Sequence, residues 1–344
     1  MKGETMSRAC RGLVPLLVII LIALSPTPSG GARAWQKGQS QEGRSQSQEG
    51  AGTTIRLGTQ LVNVLFSVID KQNRYVNDLT ASDVKVLEDG KPQEIFTFKR
   101  ESDLPLTMAI LVDVSNSVVP VLPELTDAGA RFVNSIMRPN KDKAAVIEFD
   151  GEATIVRDLT ASAAKLQRGF AEIVRNAPPP WARRRPPPIN PGDRKGGTSI
   201  FDSVIAACTD MLAREVGRKT VILFTDGYDT TSLTDRSEAV EEALRAEVVV
   251  YAIGIGDPDM DGVDRKALEK LCEPTGGRAF VPKHVEDLDQ AFEQLERELR
   301  QQYLVAYEPA NMAADGKFRK IEVRIANHKD IRVRHRRGYY GPKS

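Results

Sequence analysis

Two aspartates and three hydroxyl residues carry most of the chemistry that this 344-residue chain displays. They stand in three clusters: Asp113-Val-Ser115-Asn-Ser117, Gly196-Gly-Thr198-Ser199 and Thr225-Asp226-Gly227. Carboxylates and neutral oxygens, with neither His nor Cys among them, form the donor set of a hard cation such as Mg²⁺, Mn²⁺ or Ca²⁺. Ser, Thr and Asp are also the usual helix N-cap residues, so any one of the five has a purely structural explanation. All five at one sheet edge are harder to explain that way.

Catalytic alternatives find less support. The sequence has no G-x-S-x-G elbow and no G-x-x-x-x-G-K-[ST] phosphate loop. A phosphatase of the Asp-x-Asp type needs a carboxylate where Ser115 stands. Gly254-Ile-Gly256 lacks the third glycine of a dinucleotide fingerprint. His284, His328 and His335 are far in sequence from the Asp/Ser cluster, and Cys208 and Cys272 have no activating base nearby in sequence. The chain is therefore read as a non-enzyme. Asp257-Pro-Asp259-Met-Asp261-Gly262 imitates the first half of a Ca²⁺ loop, but Leu268 stands where the bidentate Glu belongs, so a solvated acidic turn is expected.

The elements that must position these clusters follow from hydrophobic patterning. Near-continuous apolar runs at 106–112, 144–149, 220–225 and 248–255, with a shorter one at 278–281, read as buried strands. Ala153 to Arg157 follows Asp150-Gly151 and reads as an antiparallel edge strand. Amphipathic helix patterns fill about 121–137, 161–176, 199–216, 234–246, 263–273 and 285–303. Such alternation implies a doubly wound, mostly parallel six-stranded α/β sheet with helices on both faces. With strand order 3-2-1-4-5-6, the first and fourth strands are neighbours at the switch point, where ligands bind beyond the carboxyl ends. Asp113 and Asp226 then face each other across that crevice.

The three motifs, in this order and on these elements, resemble the von Willebrand factor type A (VWA) family over roughly residues 104–303. The resemblance implies a metal-ion-dependent adhesion site with Asp113, Ser115, Ser117, Thr198 and Asp226 as ligands. It implies direct coordination by the serines, and a position left open for the Asp or Glu carboxylate of a protein partner. No small-molecule cofactor is implied.

Both flanks of this domain change to period-two patterning. Val62, Val64, Phe66 and Val68 share one face, and two strand runs surround Asp89-Gly90. At the other end, Ile321, Val323 and Ile325 alternate with charged residues, as do Ile331 and Val333. Neither flank can bury a core alone, so 54–103 and 304–344 are expected to pair in one antiparallel β-domain. The alternating bases of Arg332-Val-Arg-His-Arg336-Arg read as an exposed strand face. These flanks are similar to those of secreted bacterial VWA-related proteins.

Lys2, Arg8 and Arg11 precede an apolar run from Leu13 to Leu24, and Ala32-Arg33-Ala34 follows. These are the parts of a secretory signal peptide, here residues 1–34. The run rises about 18 Å as a helix, short of the ~30 Å hydrocarbon core, so membrane attachment is expected only if the segment stays uncleaved. The Gln/Ser/Gly-rich stretch 35–53 has nothing to bury and reads as a disordered linker. Secretion or a periplasmic, envelope location follows. Export leaves only Cys208 and Cys272 in an oxidising compartment, and they are read as two buried free thiols rather than a disulfide, since free Cys packs as a small hydrophobe. A net charge of +1 gives no global reason to expect nucleic acid. Residues 177–195 hold seven prolines and five basic residues, an insertion leading into Thr198 that is expected to be solvated or to meet a partner. The expected function is an exported, metal-dependent protein-binding or adhesion module. The competing classes are a metal-assisted hydrolase and a structural envelope protein with a vestigial site.

Overall fold

The computed structural model describes residues 61–72, 74–100, 104–177, 197–256, 262–326 and 330–343. The expected signal peptide, the linker, the Pro/Arg insertion from 178 to 196, the acidic residues 257–261 and His328 lie outside the described residues.

The chain enters through β1 (Val62–Ile69), β2 (Val84–Glu88), β3 (Lys91–Gln93) and β4 (Ile95–Arg100). Asp89 and Gly90 both adopt positive φ, 47° and 80°, as the tight turn between β2 and β3 requires. The central region then runs β5 (Leu106–Asp113), α1 (Leu122–Ile136), β6 (Lys143–Phe149), β7 (Ala153–Thr160), α2 (Ala163–Asn176) and α3 (Ile200–Ala206). It continues with β8 (Arg218–Thr225), α4 (Arg236–Arg245), β9 (Val248–Gly254), α5 (Arg265–Cys272), β10 (Ala279–Phe280) and α6 (Leu288–Arg300). The chain leaves through β11 (Tyr303–Tyr307), β12 (Phe318–Ile325), β13 (Arg332–His335) and β14 (Gly338–Tyr340).

The central sheet has the order β10-β9-β8-β5-β6-β7, parallel except for the β6–β7 pair. This is the order 3-2-1-4-5-6, with β5 and β8 side by side. Every residue of β5, β8 and β9 is buried, because helices cover both faces. One face packs Ile110, Ile222 and Phe224 against α1, α2 and α6, with Phe224 edge-on to Phe292 at 5.2 Å between ring centroids. The other packs Leu111, Val221 and Leu223 against α3, α4 and α5. Local chemistry starts the helices: Ser162, Asp235 and Asp264 each accept a hydrogen bond from a first-turn amide of α2, α4 and α5.

The flanks form two four-stranded antiparallel sheets, β13-β1-β11-β4 and β14-β12-β2-β3. Each mixes strands from both ends of the chain. Their facing sides share a core of Val64, Phe66, Val86, Val305, Tyr307 and Val323. The helical pattern read through residue 303 stops at Arg300. Tyr303 already belongs to β11, where its ring stacks on Phe66 and Phe98 at 5.3 and 5.4 Å. A β-rich YLVAY run with that aromatic packing overrides the helix period. The basic run at 332–337 also differs from its expected exposure. Arg336 is buried, donating to the Asn63 carbonyl (2.6 Å) and pairing with Glu247 (3.2 Å).

Candidate metal centre

Asp113 is the last residue of β5 and has no solvent exposure. Its Oδ1 accepts the Ser115 amide at 2.9 Å, which bends the chain back over the sheet edge. Its Oδ2 accepts the Thr225 hydroxyl at 2.6 Å, tying β5 to the end of the neighbouring β8. The Ser115 and Ser117 hydroxyls lie 3.2 Å apart, the first buried and the second half-buried. Asp226 follows β8 directly and is also buried. Its Oδ1 accepts the Tyr228 amide at 3.1 Å and its carbonyl accepts the Asp264 amide at 2.8 Å.

Thr198 reaches this place by a different route. It precedes α3, and its hydrogen bonds go to the loop after Asp226 rather than to the Asp113 group. Its amide donates to Thr230 Oγ1 at 2.9 Å, and its carbonyl accepts the amides of Thr230 and Thr231. The same loop caps α3, since Asp229 Oδ2 and Ser232 Oγ each accept the Phe201 amide at 3.1 Å. Ser199 is therefore free to bond elsewhere: its amide and hydroxyl both donate to the Asp150 carbonyl at the end of β6. The structure thus brings Asp113, Ser115, Ser117 and Asp226 together, and fastens Thr198 to the loop that follows Asp226.

Burial pushes the Asp113 carboxyl up to about 7, against its hydrogen bonds from Ser115 and Thr225, and the negative charge of Asp226 adds to the rise. Among the described residues Asp113 has no ion pair. A buried acid held beside a second acid needs a cation or a proton. The donor set is two carboxylates and three hydroxyls, which fits Mg²⁺, Mn²⁺ or Ca²⁺. No group of three His, Cys, Asp or Glu side chains gathers elsewhere among the described residues.

Sequence reasoning missed four contributors. Thr225 was visible inside Thr-Asp-Gly, but its role as the hydroxyl that orients Asp113 depends on β5 and β8 being adjacent. Asp229 and Ser232 carry no motif. Gly256 works by lacking a side chain: a Cβ there would stand 2.9 Å from the Asp226 Cβ and 2.4 Å from the Gly262 carbonyl oxygen. Neither described histidine hydrogen-bonds to the five motif residues. His284 precedes the turn leading into α6, and His335 lies in β13. Cys208 and Cys272 are buried free thiols, the first pushed up to about 12 chiefly by burial and the second likewise raised.

The model of the von Willebrand factor type A domain matches residues 107–294, more than half of the chain. The chain belongs to the VWA family. Solved structures are similar at low identity. BatB from Bacteroides thetaiotaomicron is 16% identical with a TM-score of 0.43, covering 57% of this chain and 100% of its own. Proximal thread matrix protein 1 from the mussel byssus is 18% identical with a TM-score of 0.47, covering 62% of this chain and 51% of its own. A form of that byssus protein with a zinc-occupied MIDAS motif is 18% identical with a TM-score of 0.45, covering 59% of this chain and 50% of its own. No curated protein matches the chain. The VWA domain here has Asp113 at the end of β5, Asp226 directly after β8 and Thr198 before α3.

Proposed function

We propose that this chain is an exported binding module whose VWA domain holds a divalent cation through Asp113, Ser115, Ser117, Thr198 and Asp226. The carrying observation is the pair of buried carboxylates at the switch point, ringed by hydroxyls, with no ion pair at Asp113 among the described residues. A bound cation supplies a Lewis-acidic position that an Asp or Glu of a protein partner completes. Thr225 and the Ser115 amide hold Asp113 in place, and the Thr230 bonds fix Thr198. The N-terminal segment directs the protein out of the cytoplasm, into the periplasm or beyond. Among the described residues, no helix is long and apolar enough to cross a membrane.

The test is affinity capture from a native envelope extract. Capture is expected with Mg²⁺ or Mn²⁺, to fail in chelator, and to fail with folded Ser115→Ala. Capture that survives both chelator and Ser115→Ala places recognition on another surface.

A further inference from the structure

The opposite end of the same sheet holds a second feature that the metal reading leaves unused. A cavity of about 480 Å³ opens where the lower ends of β8 and β9 meet the β-sandwich. Leu65 and Leu304 are directly paired across β1 and β11 and face away from the sandwich core, toward this seam. Val216, which is 79% exposed, and Val248 line the cavity from the VWA side. The volume lies within the range of small-molecule sites, and an apolar lining with a few placed polar groups is their usual make-up.

The polar groups decide the ligand. Glu215 is paired with Lys143 at 3.1 Å, and Glu247 with Arg336 at 3.2 Å. Arg218 is turned inward, donating to the Leu299 carbonyl. Lys219 is left. It lies on the α3–α4–α5 face of β8, in line with Val221 and Leu223, and is only 9% exposed. Its ammonium makes no hydrogen bond or salt bridge among the described residues, and the Glu247 carboxylate, already paired with Arg336, acts on it only at longer range. The Nε of Arg336, which also lines the cavity, is buried without a hydrogen-bond partner. Leaving a desolvated ammonium and a buried donor unmatched is costly, and an anion in the cavity offsets both. Burial lowers the Lys219 pKa, as expected for an ammonium removed from water. The three basic and two acidic side chains around the cavity leave a single positive charge, so the matching head group carries one negative charge.

We propose that this cavity binds a small amphipathic monocarboxylate, its head on Lys219 and its apolar tail along Leu65, Leu304, Val216 and Val248. The cavity is separated from the metal centre by six residues of β8, about 20 Å at the usual strand rise. The proposal therefore stands independently of the metal reading.

Calorimetric titration of the mature chain with decanoate, below its micelle concentration and in chelator, tests it. Decanoate is expected to bind at least tenfold more tightly than decanol, decyltrimethylammonium or inorganic phosphate. Lys219→Met is expected to weaken decanoate at least tenfold and to erase its advantage over decanol. A second readout uses the unmodified protein: decanoate should shield Lys219, and not the exposed lysines, from acylation by an N-hydroxysuccinimide ester, mapped by mass spectrometry. No decanoate binding, equal binding of decanol and decanoate, or unprotected Lys219 at saturating decanoate overturns the proposal.

Discussion

The two ends of β8 are chemically unlike. It begins with Arg218-Lys219, buried under the sandwich, and ends with Thr225-Asp226 among loops. The difference follows from where the flanks join. β4 ends at Arg100 and β5 starts at Leu106, while α6 ends at Arg300 and β11 starts at Tyr303. Both connections reach the VWA domain at the end where its parallel strands begin, so the sandwich must sit there. The carboxyl ends are left to loops, where the buried acids and hydroxyls gather away from the sandwich. Position in the topology thus leaves one end to loops and gives the other to attachment.

Perturbing each end should produce a different signature. The largest effect on stability is expected at the attached end. Glu298 of α6 is 1% exposed, pairs with Arg278 at 2.6 Å and accepts the Tyr75 hydroxyl of the sandwich flank at 3.1 Å. Glu298→Ala strands the Arg278 charge and should cost about 3 kcal/mol in denaturant melts. The metal response should survive. Gly256→Ala acts at the other end: its methyl meets the Asp226 Cβ and the Gly262 carbonyl. It should cost about 1–3 kcal/mol and, unlike Glu298→Ala, weaken metal binding in calorimetric titration. Thr225→Val keeps the shape but removes the 2.6 Å bond to Asp113. A loss of about 1–2 kcal/mol is expected, with reduced metal affinity.

The smallest effect is a pH dependence at the sandwich. His335 is held below its ordinary pKa by burial. Its Nε2 accepts the Val323 amide at 3.3 Å while Nδ1–H donates to the Arg336 carbonyl at 2.6 Å, so the neutral ring fits. The unfolded chain takes the proton first, so the contribution is present above the ordinary His pKa of about 6.5 and is lost as pH falls below it. Wild type should lose stability from pH 7.5 to 5 more steeply than His335→Gln in urea melts. Equal slopes contradict this assignment.

The carboxyl-end architecture was legible in the sequence because it is written in local signals. Continuous apolar runs mark β5, β8 and β9, and caps such as Asp235 and Asp264 mark helix starts. The meeting of Asp113 and Asp226 was legible once the strand order 3-2-1-4-5-6 was assumed, and the sheet has that order. The attached end was less legible because its partners are distant in sequence. Arg319 is buried, with one guanidinium nitrogen donating to the Asn311 carbonyl and another to that of Ala313. Arg336 reaches back to Asn63. A buried arginine and an exposed one look alike when the carbonyls that receive them belong to remote loops. Thr225 shows the same limit at the metal centre, where its role appears only once β5 lies beside β8.

The central claim is that Asp113 and Asp226 are kept buried together for a divalent cation. The most direct measurement is the melting temperature of the protein titrated with Mg²⁺, Mn²⁺ and Ca²⁺, beside Asp113→Ala. Sites of this donor type bind Ca²⁺ at about 10⁻⁴–10⁻³ M in extracellular modules, so millimolar metal should stabilise. Linkage gives about 2.7 kcal/mol at a hundred times Kd, a shift of several degrees or less. A saturable rise is expected in wild type and none in folded Asp113→Ala. A wild-type melting temperature indifferent to all three metals, or an equal rise in Asp113→Ala, would contradict the central claim.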